Sequence, residues 1–170
     1  MNSQLLIGIG ILGFALLLDI ISTAIPYWWV MSLGDAVSSS IGLFQICDHA
    51  EGLTACVTMT VETDWWRAVQ ALMILSILAL GAAVGLALLF CFVMKDKGQF
   101  GLFSAVLGAA GAGFAVLGVI IFAAKASDYS KASDYYPIGG LHAGFGLAIV
   151  SAIFAIVGSV MIVISRNANN

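Results

Sequence analysis

Four long apolar stretches, joined by polar connections of unequal length, organise this chain. They run over 5–25, 68–94, 100–124 and 138–164. Each reaches the ~20 residues that a helix needs to cross bilayer hydrocarbon. A backbone in lipid must satisfy its own hydrogen bonds, so each stretch is predicted to be a helix. The chain therefore reads as a single four-span membrane domain over 1–170, with loops at 26–67 and 125–137. The first stretch is longer than the ~7–15-residue apolar core of a secretory signal. It is expected to stay as a span, although Ser22-Thr23-Ala24 resembles a small-residue cleavage site.

The loop over 26–67 is too long for a plain helix hairpin. Two runs within it, 40–47 and 55–61, are alternating or β-branched. They are predicted to be two strands about a turn at 48–52. Cys47 and Cys56 fall one on each run. A bridge between them would staple a hairpin that is marginal alone in water; the alternative is two free thiols. Trp28, Trp29, Trp65 and Trp66 flank this loop, and Tyr129, Tyr135 and Tyr136 mark the second. Headgroup anchoring is the simplest reading for at least half of these rings.

Small residues recur at four-residue spacing: Gly81 and Gly85, Gly108 and Ala112, Gly111 and Ala115, Gly140 and Gly144, Ala148 and Ala152. Such pairs let helices approach closely in lipid. They are read here as packing within the bundle.

Composition agrees with the pattern. The chain is 62% hydrophobic and 9% charged, with a formal net charge of -3. A soluble domain carries ~25% charged residues. Nucleic-acid binding, which needs a basic stripe, is excluded.

Charge orients the chain only weakly. Lys95, Lys97 and Arg166 fall on one side and Arg67, Lys125 and Lys131 on the other, a tie under the positive-inside rule. Most acids, namely Asp35, Asp48, Glu51, Glu62, Asp64, Asp128 and Asp134, share the side of the long loop. A Cys47–Cys56 bridge requires an oxidising compartment. The long loop is thus expected outside the cell, with both termini in the cytosol.

No catalytic set, cofactor motif or metal-ligand spacing appears, so the chain is expected to be no enzyme and to need no cofactor. His49 and His142 lie far apart in the chain, without Cys or carboxylate partners at ligand spacing. Asp19, inside the first span, is the one intramembrane acid. Such a residue is either a polar site for a proton or cation, or a buried hydrogen-bonded group near Ser22 and Thr23. Cys91, near the end of the second span, is a candidate for palmitoylation or a small buried hydrophobe. No Asn-x-Ser/Thr sequon is present.

The loop residues also carry a resemblance. Thr23-Ala24-Ile25-Pro26-Tyr27-Trp28 leads from the first span. Gly42-Leu43-Phe44-Gln45-Ile46-Cys47 follows, then eight residues, then Cys56. This is similar to the claudin signature of Trp, Gly-Leu-Trp-x-x-Cys and Cys. Trp65-Trp66-Arg67-Ala68-Val69-Gln70-Ala71-Leu72-Met73-Ile74-Leu75-Ser76 and Ser127-Asp128-Tyr129-Ser130 look like the peripheral myelin and epithelial membrane protein branch. The resemblance implies a four-helix transmembrane bundle carrying a small antiparallel β-sheet in the first extracellular loop. It matches Trp28, Gly42 and Leu43 to the signature, Phe44 to its second tryptophan, and Cys47 with Cys56 to its disulfide.

The departures also carry information. Phe44 lacks the indole N–H, and Gln70 stands where claudins place an arginine. The loop is shorter than in barrier-forming claudins, and Arg166-Asn167-Ala168-Asn169-Asn170 lacks the valine that docks PDZ scaffolds. These favour the myelin and epithelial branch. The resemblance implies a plasma-membrane tetraspan acting in cell–cell contact or membrane organisation. Its partners would be lipid, copies of itself, or other membrane proteins in cis or in trans. The alternatives are a paracellular barrier or channel of tight junctions and an auxiliary subunit of an ion channel or receptor.

Overall fold

The computed structural model describes residues 3–32, 37–50, 52–60, 63–93, 99–132 and 139–167, with the backbone alone at 37, 127–132 and 167. Several residues used above lie outside the described ones: Asp35, Glu51, Glu62, Lys95, Lys97, Asp134, Tyr135, Tyr136 and the tail at 168–170. So do the side chains of Ser127, Asp128, Tyr129, Ser130 and Lys131.

Four helices carry the apolar stretches: α1 (Ser3–Ala24), α2 (Asp64–Phe92), α3 (Gln99–Ala132) and α4 (Ala143–Asn167). All four are long and apolar enough to cross a membrane. They close into a ring, in which α1 packs on α2 and α4, and α3 packs on the same two. Large apolar side chains such as Leu17, Leu78, Phe103 and Ile153 point outward, as lipid requires, while Leu12, Leu80, Ala83, Ala112, Ala115 and Ala155 fill the middle.

Helices of this kind gain no hydrophobic drive from one another in lipid, so they associate through close packing and hydrogen bonds. Both are present. A Cβ at Gly158 would lie 3.0 Å from the backbone nitrogen of Leu12 and 3.1 Å from the carbonyl oxygen of Gly8. Buried serines tie neighbouring helices. Ser104 donates to the Ala83 carbonyl at 2.8 Å, Ser151 to the Ala15 carbonyl at 2.8 Å, and Ser22 to the Gly144 carbonyl at 2.7 Å.

Not every small residue serves the bundle. Gly108 and Gly111 face Ser159 and Leu80, and Ala112, Ala115, Ala148 and Ala152 are buried. A Cβ added at Gly81 or Gly85 would meet no other part of the protein within 4 Å. Packing within the bundle therefore does not account for that pair, because it sits on the outer side of α2.

The loop between α1 and α2, joined by a short segment before α4, forms a five-stranded antiparallel sheet. Its strands are β1 (Trp29–Ser32), β2 (Val37–Ile41), β3 (Gln45–Ala50), β4 (Leu53–Thr58) and β5 (Gly139–Leu141), in the order β4-β3-β2-β1-β5. The two strands predicted from sequence were too few. The run over 40–47 is broken at Gly42-Leu43-Phe44, where the Gly42 N–H donates to the Gln45 carbonyl at 2.8 Å. Its two halves then pair with each other, Ile41 opposite Ile46. The alternation of that run reflected a buried turn, not one continuous strand. β5 carries two glycines, which weaken any strand signal; backbone pairing with β1 recruits it.

Three helix bounds move for related reasons. α2 begins at Asp64, since Trp65 and Trp66 belong to its first turn. α4 begins at Ala143, because β5 occupies 139–141 and His142 joins the two. α3 continues past 124 to Ala132. Its 34 residues at ~1.5 Å each exceed the ~30 Å of hydrocarbon, so the helix projects beyond the membrane.

Candidate functional site

The sheet is fixed to the bundle by backbone carbonyls and aromatic rings. Trp28, at the exit of α1, is 0% exposed. Its indole N–H donates to the Ser22 carbonyl at 2.7 Å, and its ring meets Phe122 edge-on at 4.9 Å and Phe145 at 6.3 Å. Its backbone N–H donates to Ile41 at 2.9 Å, and its carbonyl accepts from His142 at 3.0 Å. One residue thus joins α1, β2, α3 and α4.

Glycine makes this approach possible at Gly144. A Cβ there would fall 2.6 Å from Trp28 Cδ1. The Gly144 N–H donates to the Tyr27 carbonyl at 2.8 Å while its own carbonyl accepts from Ser22.

The second fixture is the turn between β2 and β3. Leu43 is fully buried, and its carbonyl accepts the Trp66 indole N–H at 2.9 Å and the Gln70 side-chain N–H at 2.7 Å. Trp66 and Gln70 lie one turn apart on α2, so a single helix face supplies both donors. A Cβ at Gly42 would stand 2.5 Å from the Pro26 Cα, leaving glycine as the residue that fits. Phe44 is half-buried against the same aromatic cluster, which also contains Trp65, Trp66, Val69 and Met73. Trp28 and Trp66 are therefore internal fixtures and not headgroup anchors, because their indole N–H groups are spent on backbone carbonyls.

Above this floor, Cys47 and Cys56 are bonded across β3 and β4 as directly opposed residues, with Cα atoms 4.1 Å apart. That is the closer of the two pair types in an antiparallel ladder. Cys47 is buried and Cys56 exposed. Every side chain of β4 is exposed, with Leu53 at 78% and Val57 at 61%. In register, Ile46 opposes Val57, Asp48 opposes Ala55, and Ala50 opposes Leu53, so one face of this outer hairpin is apolar but for Asp48. β4 also ends the strand order, and such an edge carries unpaired backbone groups.

The two histidines, separate in sequence, converge on Tyr27. His49 stacks near it at 6.5 Å and His142 lies tilted at 6.0 Å. Among the described residues, no group of three or more His, Cys, Asp and Glu side chains is placed to hold a metal ion.

Asp19 lies apart from the sheet, fully buried in the bundle. Its Oδ2 accepts the Ser76 hydroxyl from α2 at 2.6 Å, and its Oδ1 has no hydrogen-bond partner. Ser22 and Thr23 do not serve its carboxyl: Ser22 is spent on Gly144, and Thr23 donates to the Asp19 backbone carbonyl at 2.8 Å. Cys91 is buried in the bundle core beside Phe90, closed to an acyl donor in this conformation.

Sequence reasoning missed Tyr27, Phe122, Phe145 and Ser76. It treated Gln70 only as a departure from a pattern. The spacing of Trp66 and Gln70 on one helix face was the available signal for a shared acceptor.

No individual curated protein matches the chain with significance. The model of the PMP-22/EMP/MP20/Claudin family matches residues 1–162, nearly the whole chain. With its four spans and five-stranded sheet, this multi-pass plasma-membrane protein belongs to the PMP-22/EMP/MP20/Claudin family.

Proposed function

We propose that this chain acts by contact, without catalysis, presenting its stapled sheet outside the cell to a neighbouring membrane protein while both termini stay in the cytosol. The family as a whole is generally non-enzymatic and engages lipid and other membrane proteins. The observation that carries the reading is the contrast within the sheet. Its base is locked by Trp28 and Leu43, whereas its outer hairpin exposes Leu53 and Val57 on a bonded Cys47–Cys56 scaffold. A rigid base presenting an apolar hairpin favours docking, since little ordering entropy remains to be lost on association. The disulfide supports the outward assignment, because it persists in oxidising compartments. Phe44 and Gln70, where claudins carry tryptophan and arginine, support the myelin and epithelial branch over strand-forming claudins.

The test is imaging of tagged protein in contacting cells beside Cys47→Ser, with epitope tags at each terminus and in the 52–53 turn to read sidedness. Enrichment at contacts that falls with Cys47→Ser, and a turn tag reached without permeabilisation, are the expected results. Uniform surface staining that ignores the cysteine would remove the contact reading and favour an auxiliary-subunit role. Contact enrichment accompanied by a change in epithelial resistance would favour a paracellular barrier.

A further inference from the structure

The sheet stands on the bundle by one end of its strands. Trp29, Ile41, Phe44 and Met59 pack on the buried cluster that holds Trp28, Leu43, Trp66 and Phe122. β1 starts at Trp29, β2 ends at Ile41, and Phe44 and Met59 lie just outside β3 and β4. β5 ends at Leu141, two residues before α4.

Pairing aligns one row of side chains across all five strands at this end. Leu141 opposes Trp29, Trp29 opposes Ile41, Ile41 opposes Ile46, and Ile46 opposes Val57. Directly opposed residues share a face of the sheet. All five are apolar; Leu141 and Val57 are exposed and the other three half-buried. The next row on that face lies two residues, ~7 Å, further along each strand. It reads Gly139, Met31, Ser39, Asp48 and Ala55, so a hydroxyl and a charge return there.

The depth of the first row follows from the helices. The 22 residues of α1 and the 24 of the α4 span rise ~33 and ~36 Å, little more than the ~30 Å of hydrocarbon. Ala24 and Ala143, their ends beside the sheet, therefore lie near the hydrocarbon boundary. The headgroup zone beyond it is about 5–7 Å deep. Trp29 and Leu141 pair with each other directly above those ends and fall within it. Exposed Ile20 and Ile21 bring the lipid-facing surface of α1 up to the same level. Among the described residues, Trp28 and Trp66 donate their indole N–H to carbonyls, whereas that of Trp29 has no acceptor. A packed indole with its N–H left over suits the membrane interface.

We propose that the row from Leu141 to Val57 docks on lipid, resting in the headgroup zone of the leaflet on the sheet's side, so that the sheet is partly sunk in its own membrane. The occupant is lipid because the row continues a surface already in lipid, and polarity returns one row further out. Leu53 lies ~13 Å beyond Val57 along β4 and stays clear of that zone. Lipid docking narrows the contact surface to the hairpin tip around Leu53. It does not depend on that contact, since it requires only the place of the sheet on the bundle.

The test uses the full chain in phosphatidylcholine nanodiscs, one copy per disc, where no neighbouring protein is present. Photo-reactive p-benzoylphenylalanine replaces Val57, Leu141, Leu53 or Leu78 in turn, and mass spectrometry counts lipid adducts after irradiation. Leu78, exposed on α2, sets the yield of full lipid contact. Only variants that melt with the parent and keep the Cys47–Cys56 bridge are scored, and two positions in the row allow for the loss of one. The expected yield at Val57 and Leu141 is close to that at Leu78 and several-fold above that at Leu53. A yield at either scored row position no higher than at Leu53 would overturn the docking. Adducts at Val57 that pass from lipid to protein in discs holding two copies would overturn the lipid assignment and give the row to self-association.

Discussion

The side-chain amide of Gln70 donates to the carbonyl of Leu43 at 2.7 Å, across 27 positions of chain. This bond ties the buried turn of the sheet to the second membrane helix. Trp66 reaches the same oxygen at 2.9 Å, so the acceptor is doubly occupied. Removing one donor leaves the other in place. Gln70→Leu is therefore expected to lower stability by about 1 kcal/mol, and Trp66→Phe by a similar hydrogen-bond contribution. The double variant orphans a buried carbonyl and is expected to lose more than the sum. Thermal unfolding of the four proteins in one detergent measures this cycle; strict additivity would show that the shared acceptor is not what couples them.

Close backbone approach makes a second prediction. Gly42→Ala forces a methyl to within 2.5 Å of the Pro26 Cα, and Gly144→Ala drives one into the Trp28 indole at 2.6 Å. Each is expected to destabilise by about 1–3 kcal/mol, the usual penalty for overpacking. Gly10→Ala is the control, since nothing lies within 4 Å of that position. Surface yield and melting temperature should fall for the first two and hold for the third. Equal behaviour of all three would mean the sheet base tolerates displacement.

These contacts mark where the sequence was readable and where it was not. The spans were legible because lipid imposes a composition and a length on any helix crossing it. The Cys47–Cys56 pair was legible because a polar loop offers few other uses for two cysteines. The sheet was underestimated because β1 and β5 are short and β5 is two-thirds glycine; β5 owes its strand state to β1, a partner distant in the chain. Trp28 and Trp66 were misread because an interfacial tryptophan and a buried one occupy the same sequence position next to a span. Only the carbonyls of Ser22 and Leu43 separate the two cases.

Reduction of the disulfide tests how the sheet divides between base and hairpin. The closed loop is short, with Cys47 and Cys56 separated by 9 positions. The chain-entropy model assigns such a loop roughly 2–3 kcal/mol. Because β4 is anchored by pairing with β3 alone, that loss is expected to fall on the hairpin. Hydrogen exchange should quicken in 45–58 after reduction, while β1 and the helices keep their protection. Loss of protection throughout the bundle would show that the staple supports the whole fold.

Asp19 and Ser76 provide the last test, deep in the bundle. The Ser76 hydroxyl donates to Oδ2 at 2.6 Å, and Oδ1 has no partner. Ser76→Ala strips the carboxyl of its one side-chain bond, and a loss of about 1–3 kcal/mol is expected, the penalty for an unsatisfied buried group. Asp19→Asn keeps an acceptor for Ser76 and should be milder. Replacing both partners, as Asp19→Leu with Ser76→Ala, removes the desolvation penalty together with the bond; such exchanges are often neutral or stabilising. The expected order of melting temperature is thus the double apolar variant at or above the unaltered chain, then Asp19→Asn, then Ser76→Ala. A double variant as stable as the parent, with surface expression and membrane currents unchanged, identifies the pair as a packing feature. Altered currents in Asp19→Asn at normal surface expression would instead assign the carboxyl an ion-handling role.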